Sequence, residues 1–472
     1  MQLMCMMFFS VQEFSISNIA RTGVLLFAVQ ATGSFALTTA DAQRLGTELT
    51  PMGANPKANA AGSIPAWTGN VRGLPEGLQY AASGMPYPDP YGKEPPLFSI
   101  THANAQKYKD HLAPGMLALL DKYPATFRMD IYPSHRDFRY NDQVEQRTRW
   151  NVGHARLEGG DDGLQNMTGG APFPIPENGV QVMWNARINQ PTPVADSLTD
   201  AMVVYADGNR QKERVHMLFE SPYAYESHPV GTTGEEIGPI AGYVFLEIIE
   251  PSRRKGEMAV VHEPLDQVKY KRKVWAYNPG VKRVKIVPDA GYDMPIGPGK
   301  LMTADDSLGF NGAMDRYDWK LIGKQELYIP YHSYRFDKPG LDYETLLPAK
   351  QMNPDYMRYE LQRVWVVEAT LKEGARHIYS KRRFYMAEDS WLIAITEAYD
   401  AHGQLWRVGL QNTLYDFFLQ GYITRAHLQF DLLADAYVAV GLVNQTRPTD
   451  YNVKIQGAKF FTAQTLQKKA RH

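Results

Sequence analysis

The sequence predicts a mainly β (α+β) protein built on a large curved antiparallel sheet, with a helical lid or plug and a long Pro/Gly-rich N-terminal arm. Three observations carry this. A series of runs rich in β-branched and aromatic residues follows Arg363, reading RVWVVEATL, HIYSKRRFYM, WLIAITEAY, QLWRVGLQNTLYDFF, YITRAHLQFDLL and AYVAVGLV. A similar series starts near residue 201, reading AMVVYAD, RVHMLFE, YVFLEIIE, EMAVVHE, YKRKVWAY, VKRVKIV and KQELYIP. Short runs of this composition, separated by polar turns, are the signature of hairpin-linked strands. Residues 50–98, by contrast, are dense in Pro and Gly and have neither a helical nor a strand period. A sheet of this kind curls over a core, a helix or a ligand, and which of these it covers decides the function.

The elements follow in chain order. Arg21, the apolar run VLLFAV and the small-x-small triplet Ser34-Phe35-Ala36 predict an export signal over 1–36, too short to be a membrane span. Residues 1–20 lie upstream of that signal and fit a mis-assigned start or a long n-region. The single cysteine, Cys5, falls inside this segment. The mature chain is therefore expected to have no disulfide, thiolate metal site, Cys nucleophile or lipid-bearing Cys, and to be soluble outside the cytoplasm. TTADAQRLG reads as a short helix with Thr38 or Thr39 as N-cap and Gly46 as its stop. The arm spans 37–100, and its Trp67, Tyr87 and Tyr91 are expected to pack on the rest of the protein. The lid region spans 101–200. In it, Thr101 caps a helical stretch, Pro114-Gly115 interrupts it, and MLALLDKY continues with Leu117, Leu120 and Tyr123 on one face. The sheet is expected over 201–443. The tail, 444–472, ends in a short basic helix.

Composition excludes some functions. The chain has 472 residues, 44% hydrophobic and 12% aromatic, which allows a substantial core. Lys+Arg total 50 against 51 Asp+Glu, so no global basic field points to nucleic acid. No Gly-x-Ser-x-Gly elbow or His-Glu-x-x-His pair occurs. Asp161-Asp162 and Asp305-Asp306 lack calcium-loop spacing and read as turn or cap residues. GPGK at 297–300 lacks the first Gly and the Ser/Thr of a phosphate loop. The expectation is a protein that is not an enzyme, with no catalytic residue, metal or cofactor assigned.

Three groups of residues remain as candidates. Aromatic side chains of the C-terminal hairpins, Trp365, Phe384, Trp391, Trp406 and Phe417, either fill a core or line a cavity for an apolar ligand. The hairpin KYKRKVWAYNPGVKRVKIV turns at Asn278-Pro279-Gly280. Period-2 counting puts Lys271, Lys273, Trp275 and Tyr277 on one face and Val274 and Ala276 on the other. With Arg283, this is a candidate surface for an acidic partner or anionic headgroups, or simply a solvated face with aromatic rings on lysine stems. In FNGAMDRYDW, Asp315 and Asp318 flank Arg316, which predicts a loop pinned by an internal ion pair.

The stretches RLGTELTPMGANPKANAAGSIPAWTG, PFPIPENG, VWAYNPGVKRVKIVPDAGYD, FNGAMDRYDWKLIGKQELYIPY and RYELQRVWVVEATLKEGARHIYSKRRFYMAEDSW resemble a proteobacterial periplasmic family, the domain of unknown function 1329. That family is related to the outer-membrane lipoprotein-sorting carriers LolA and LolB. The resemblance implies a half-barrel of LolA/LolB type closed by helices over a hydrophobic cavity. It also implies an outer-membrane protein and an exporter of the resistance-nodulation-division (RND) type as partners, and a lipid-like or hydrophobic small molecule as ligand. Three functions follow for testing: a carrier or chaperone for that ligand, an accessory subunit of an exporter with no ligand of its own, and a hydrolase with a dispersed triad.

Overall fold

The computed structural model describes residues 38–159, 162–188, 191–287 and 291–471. The predicted export signal, with Cys5, lies outside these residues. Short strands β1 (Phe98–Thr101), β2 (Arg128–Tyr132), β3 (Arg156–Glu158) and β4 (Gly163–Gln165) come first. The first hairpin series follows as β5 (Val194–Val204), β6 (Arg210–Glu220), β7 (Ile240–Glu250), β8 (Met258–Pro264), β9 (Lys273–Asn278) and β10 (Arg283–Ile286). After the two-residue strands β11 (Pro295–Ile296) and β12 (Met302–Thr303) come β13 (Tyr317–Pro330), β14 (Tyr359–Leu371), β15 (Lys381–Ala387), β16 (Ile393–Tyr399), β17 (Leu405–Asp416), β18 (Gly421–Asp431) and β19 (Ala436–Asp450). The helices are α1 (Thr39–Gln43), α2 (Pro114–Lys122), α3 (Asp142–Asn151), α4 (Gly179–Ile188), α5 (Gly234–Ile237), α6 (Tyr343–Leu346) and α7 (Ala463–Lys469).

Both predicted series join one curved, open sheet in the order β1-β2-β14-β15-β16-β17-β18-β19-β5-β6-β7-β8-β9-β10, with β13 on the free side of β14. The pairs are antiparallel except β2 with β14, which meet in parallel at the first two residues of β14. Strand β19 pairs with β5, so the C-terminal series adds to the N-terminal one and neither closes on itself. The long strands run from Val194 to Asp450, beyond the expected 201–443, and β1 and β2 add residues 98–101 and 128–132 to the same sheet. The extra residues of β5 include Asp196, which is bound across strands by His216 and Arg447.

Two helical expectations shift. Thr101 ends β1 rather than capping a helix, and 105–111 is a 3-10 turn. Pro114 opens α2 at its first turn instead of breaking it, because the orphan amides there cost a proline nothing. Helix α2 packs closely on β17: a Cβ on Gly115 would sit 2.9 Å from the Val408 side chain, and the Gly115 amide donates to Glu397 at 2.7 Å. Helix α4 packs on β13 and β14, with Gly179 against Val367. The ladder places Glu397 and Val408 on one face and Val367 and Phe384 on the other. The expected lid is thus divided between the two faces of the sheet. The arm packs through its aromatic residues: Trp67 donates to the Phe138 carbonyl at 3.3 Å and Tyr91 stacks on His135.

Candidate functional site

The two halves of the sheet differ in what covers them. From β14 to β19 both faces are largely buried. From β6 to β10 only one face is. That face carries Phe245, Met258 and Val260, which are nearly fully buried, with Trp275, Tyr277 and Val284 beside them, and α7 packs onto it through Phe461 and Leu466. The tail folds as the expected helix: the Thr462 side chain accepts the Thr465 amide, and Lys468 and Lys469 occupy the last turn.

The opposite face of the same strands is apolar, and the described residues leave it uncovered. One cross-strand row reads Phe219, Val244, Val261 and Val274; the next reads Met217, Leu246, Ala259 and Ala276. All eight are half-buried, whereas their α7-side neighbours Phe245 and Val260 are 0% exposed. Apart from Phe219, none of the eight joins a buried hydrophobic cluster of the described residues. Lys285, opposite Ala276, and Arg283, opposite Asn278, border this face on the edge strand β10, both exposed. At its other margin the Glu263–Arg272 pair (2.7 Å) closes the row above. With strands about 4.8 Å apart, the eight side chains cover on the order of 200 Å².

The five aromatic residues expected to line a cavity do not meet around one void. Trp391 is fully buried, donates to the Met52 carbonyl at 2.8 Å and stacks on Trp365, over which Lys324 lies at 4.3 Å. Phe384 packs edge-on against Phe310 and stacks near Trp319. Trp406 donates to Asp431 at 3.0 Å beneath Arg407. Phe417 stacks on Tyr334 and touches Tyr80 and Tyr87 of the arm. The arm meets Trp391 and Phe417, the 302–319 segment meets Phe384, and Tyr334 of the 331–336 segment meets Phe417. These large rings are met by other segments of the same chain.

The basic hairpin forms as read: the Gly280 amide is held by Asn278 Oδ1 at 2.8 Å, and Lys282 takes a positive φ of 51° to close the turn. Its proposed surface is split. Trp275 and Tyr277 lie under α7, while Arg283 points to the apolar face, because residues paired directly across a ladder share a side. Lys271 and Lys273 line a cleft of about 450 Å³ with Lys269, Tyr270 and His262. The His262 Nε2 donates to the Phe461 carbonyl at 2.7 Å, and burial holds its ring below the ordinary histidine pKa.

The loop ion pair is also reassigned. The partner of Arg316 is Asp293 (4.0 Å), and its guanidinium lies over the Tyr292 ring; Asp315 accepts from the Tyr292 hydroxyl and Asp318 is exposed. The planar ring of Tyr292 takes the cation in place of the two adjacent acids. The neighbouring acids Asp305 and Asp306, read as turn residues, do cap a turn after Thr303, but they also grip the buried Arg382 at 2.8 and 2.7 Å. Among the described residues, no group of three or more His, Cys, Asp or Glu is placed to hold a metal ion, and no helix is long and apolar enough to cross a membrane.

A family model described as "Protein of unknown function (DUF1329)" matches residues 99–467. The chain belongs to this family. Its match runs from β1 into α7, and so spans the strands of the uncovered face and the basic hairpin. An uncharacterized protein of Pseudomonas aeruginosa is 38% identical over 458 residues, covering 95% of this chain and 98% of that one. Among solved structures, a DUF1329 family protein from Desulfovibrio piger is 12% identical, covers 58% of this chain and 92% of its own, and has a TM-score of 0.39. A LolA superfamily protein from Nitrosomonas europaea is 12% identical, with 61% and 98% covered and a TM-score of 0.37.

Sequence reasoning missed the uncovered face of this DUF1329 chain. The signal was present: Val274 and Ala276 alternate with Trp275 and Tyr277. What was missing is that α7, nearly two hundred residues later, covers the aromatic side and leaves the aliphatic side open.

Proposed function

We propose that the protein is a non-enzymatic carrier that holds a lipid-like, predominantly apolar small molecule on the β6–β9 face, working in the periplasm and passing its cargo to a membrane partner. The uncovered double row of aliphatic residues carries this reading. Its size argues for a small molecule over a protein: roughly 200 Å² falls well short of the ~800 Å² per partner of a stable protein interface. Burying that face and an equal area of ligand contributes on the order of 10 kcal/mol before the cost of association. Lys285 and Arg283 at the border suit a ligand with an acidic end. No chemical step is assigned to the site.

The test is to purify the protein after export, extract it with organic solvent and identify released molecules by mass spectrometry, with binding of a fluorescent acyl probe measured in parallel. An apolar ligand is expected. Leu246→Lys, at the centre of the face, is expected to weaken probe binding at least ~tenfold, since one lost aliphatic contact and one introduced charge exceed ~1.4 kcal/mol. Its thermal melting should stay close to that of the parent, because Leu246 joins no buried cluster. A protein that releases no apolar molecule and binds no acyl probe would refute the reading.

A further inference from the structure

The end of the sheet on the α7 side is a second surface with its own chemistry. Seven Lys and Arg residues lie between 269 and 285 and five between 454 and 471, with no carboxylate from 267 to 287 or from 451 to 472. Folding brings the two stretches together, because α7 lies across β8, β9 and β10. A cleft of about 750 Å³ on one side of the helix is lined by Lys459, Lys468 and Lys469 with Tyr277 and Phe460, against a single carboxylate, Glu247. The 450 Å³ cleft of Lys269, Lys271 and Lys273 is lined by residues at the other end of the same strands. Among the described residues, Lys271, Lys273, Lys282, Lys459 and Lys468 form no salt bridge. At the edge, Val281 on the turn and Ile286 on β10 are 57% and 68% exposed.

We propose that this end of the sheet docks on an anionic phospholipid bilayer, the lysines meeting headgroup phosphates and Val281 and Ile286 entering the interface. Charge complementarity carries the choice of partner. The cations are mostly lysines, compact point charges without the fork geometry that pairs specific carboxylates, and they ring two separate clefts instead of converging on one. Such an array suits a continuous sheet of negative charge, whose pull on nearby basic residues adds up and falls away within a Debye length. Exposed aliphatic side chains beside basic residues are the usual composition of an interfacial anchor. The proposal stands apart from the ligand reading, although β10 also borders the apolar face, so docking would bring that face to the bilayer.

Co-sedimentation of the exported, purified protein with vesicles of phosphatidylcholine, with and without phosphatidylglycerol, tests it. Binding at least ~tenfold stronger to the phosphatidylglycerol vesicles, lost as salt is raised, is the expected result. Lys271→Glu/Lys273→Glu/Lys468→Glu should abolish the preference, and Ile286→Ser should weaken binding while leaving its salt dependence in place. All four positions are at the surface, and circular dichroism checks that each variant stays folded. Equal binding to both vesicles, unchanged binding by the charge-reversed protein, or retention by an immobilised acidic polypeptide without vesicle binding would each overturn it, the last assigning the surface to an acidic protein. Leu246→Lys should keep vesicle binding, so this proposal and the ligand reading fail separately.

Discussion

Replacing Arg382 by methionine is expected to lower the folding stability by about 3–5 kcal/mol, the usual cost of leaving buried charge without its partner. The Arg382 side chain on β15 is 2% exposed and bridges Asp305 and Asp306 of the segment that crosses the sheet after β12. His377 and Thr303 complete the shell of Asp305, and the Tyr379 hydroxyl binds Asp306. Burial alone would raise the Asp305 pKa, but the Arg382 guanidinium and the His377 ring outweigh it and hold it at about 2. Without Arg382, two carboxylates stay buried against each other, and the segment carrying them has reason to lift. Phe310 and Trp319, which pack on Phe384, would then lose their seat. Urea unfolding measures the loss as a fall in midpoint at unchanged slope. The triple variant Arg382→Met/Asp305→Asn/Asp306→Asn should recover much of it, because removing a whole buried ionic network costs less than breaking it. A single variant within ~1 kcal/mol of the parent would show that the network does not hold the segment down.

Much of the sheet could be read from the sequence because its strands are locally self-consistent. Aliphatic and aromatic residues recur at strand spacing between polar turns, and all thirteen expected runs fall on strands of the sheet. The errors occur where tertiary partners override local preference. Asp196 and Ser197 fall in the expected lid region, outside the expected sheet, yet they lie in β5 because His216, Arg447 and Thr449 bind them across the ladder. Pro114-Gly115 read as a break, yet proline fits the first turn and glycine lets α2 approach Val408. The candidate site was harder for a related reason. Period-2 alternation assigns side chains to faces but not faces to solvent. Alternation alone left the aromatic face of β9 as a solvated or docking face, and α7 covers it; it left the aromatic residues of β14–β18 as core or cavity lining, and the arm packs on Trp391 and Phe417 and the 302–319 segment on Phe384. Pairing across a distance was equally hidden: Arg316 passes over its sequence neighbours Asp315 and Asp318 and reaches Asp293.

Glu360 gives the protein a second, pH-readable latch, and Glu360→Gln is expected to destabilise it by on the order of 3 kcal/mol at pH 7 and by almost nothing near pH 2. The residue sits at the start of β14 and is fully buried. Its carboxylate accepts from His332 Nδ1 at 2.9 Å, Arg358 Nε at 2.7 Å, the His135 amide at 3.1 Å and Gln362 Nε2 at 2.9 Å. Arg358 reaches on to Glu94 of the arm at 2.9 Å, so one carboxylate ties the arm, the loop after β2 and the loop after β13 together. Burial pushes the Glu360 pKa up, but His332 and Arg358 outweigh it and bring it from the ordinary 4.5 to about 2. A carboxyl whose pKa is lower folded than unfolded binds fewer protons in the folded state. Its stabilisation is therefore complete above pH 4.5 and is lost as the pH falls toward 2. The gap of roughly 2.5 pH units, at 1.36 kcal/mol each, sets the size of the effect. Other buried carboxyls shift the other way, Glu397 and Asp416 being raised by burial, so the parent's acid profile alone would mix opposing slopes. The difference between parent and Glu360→Gln cancels those contributions, because both chains share them. Urea unfolding of the two proteins at steps from pH 7 to pH 2 should show the gap narrowing below about pH 4.5. A gap that stays constant over that range would mean that the side chain acts through packing and not through its charge.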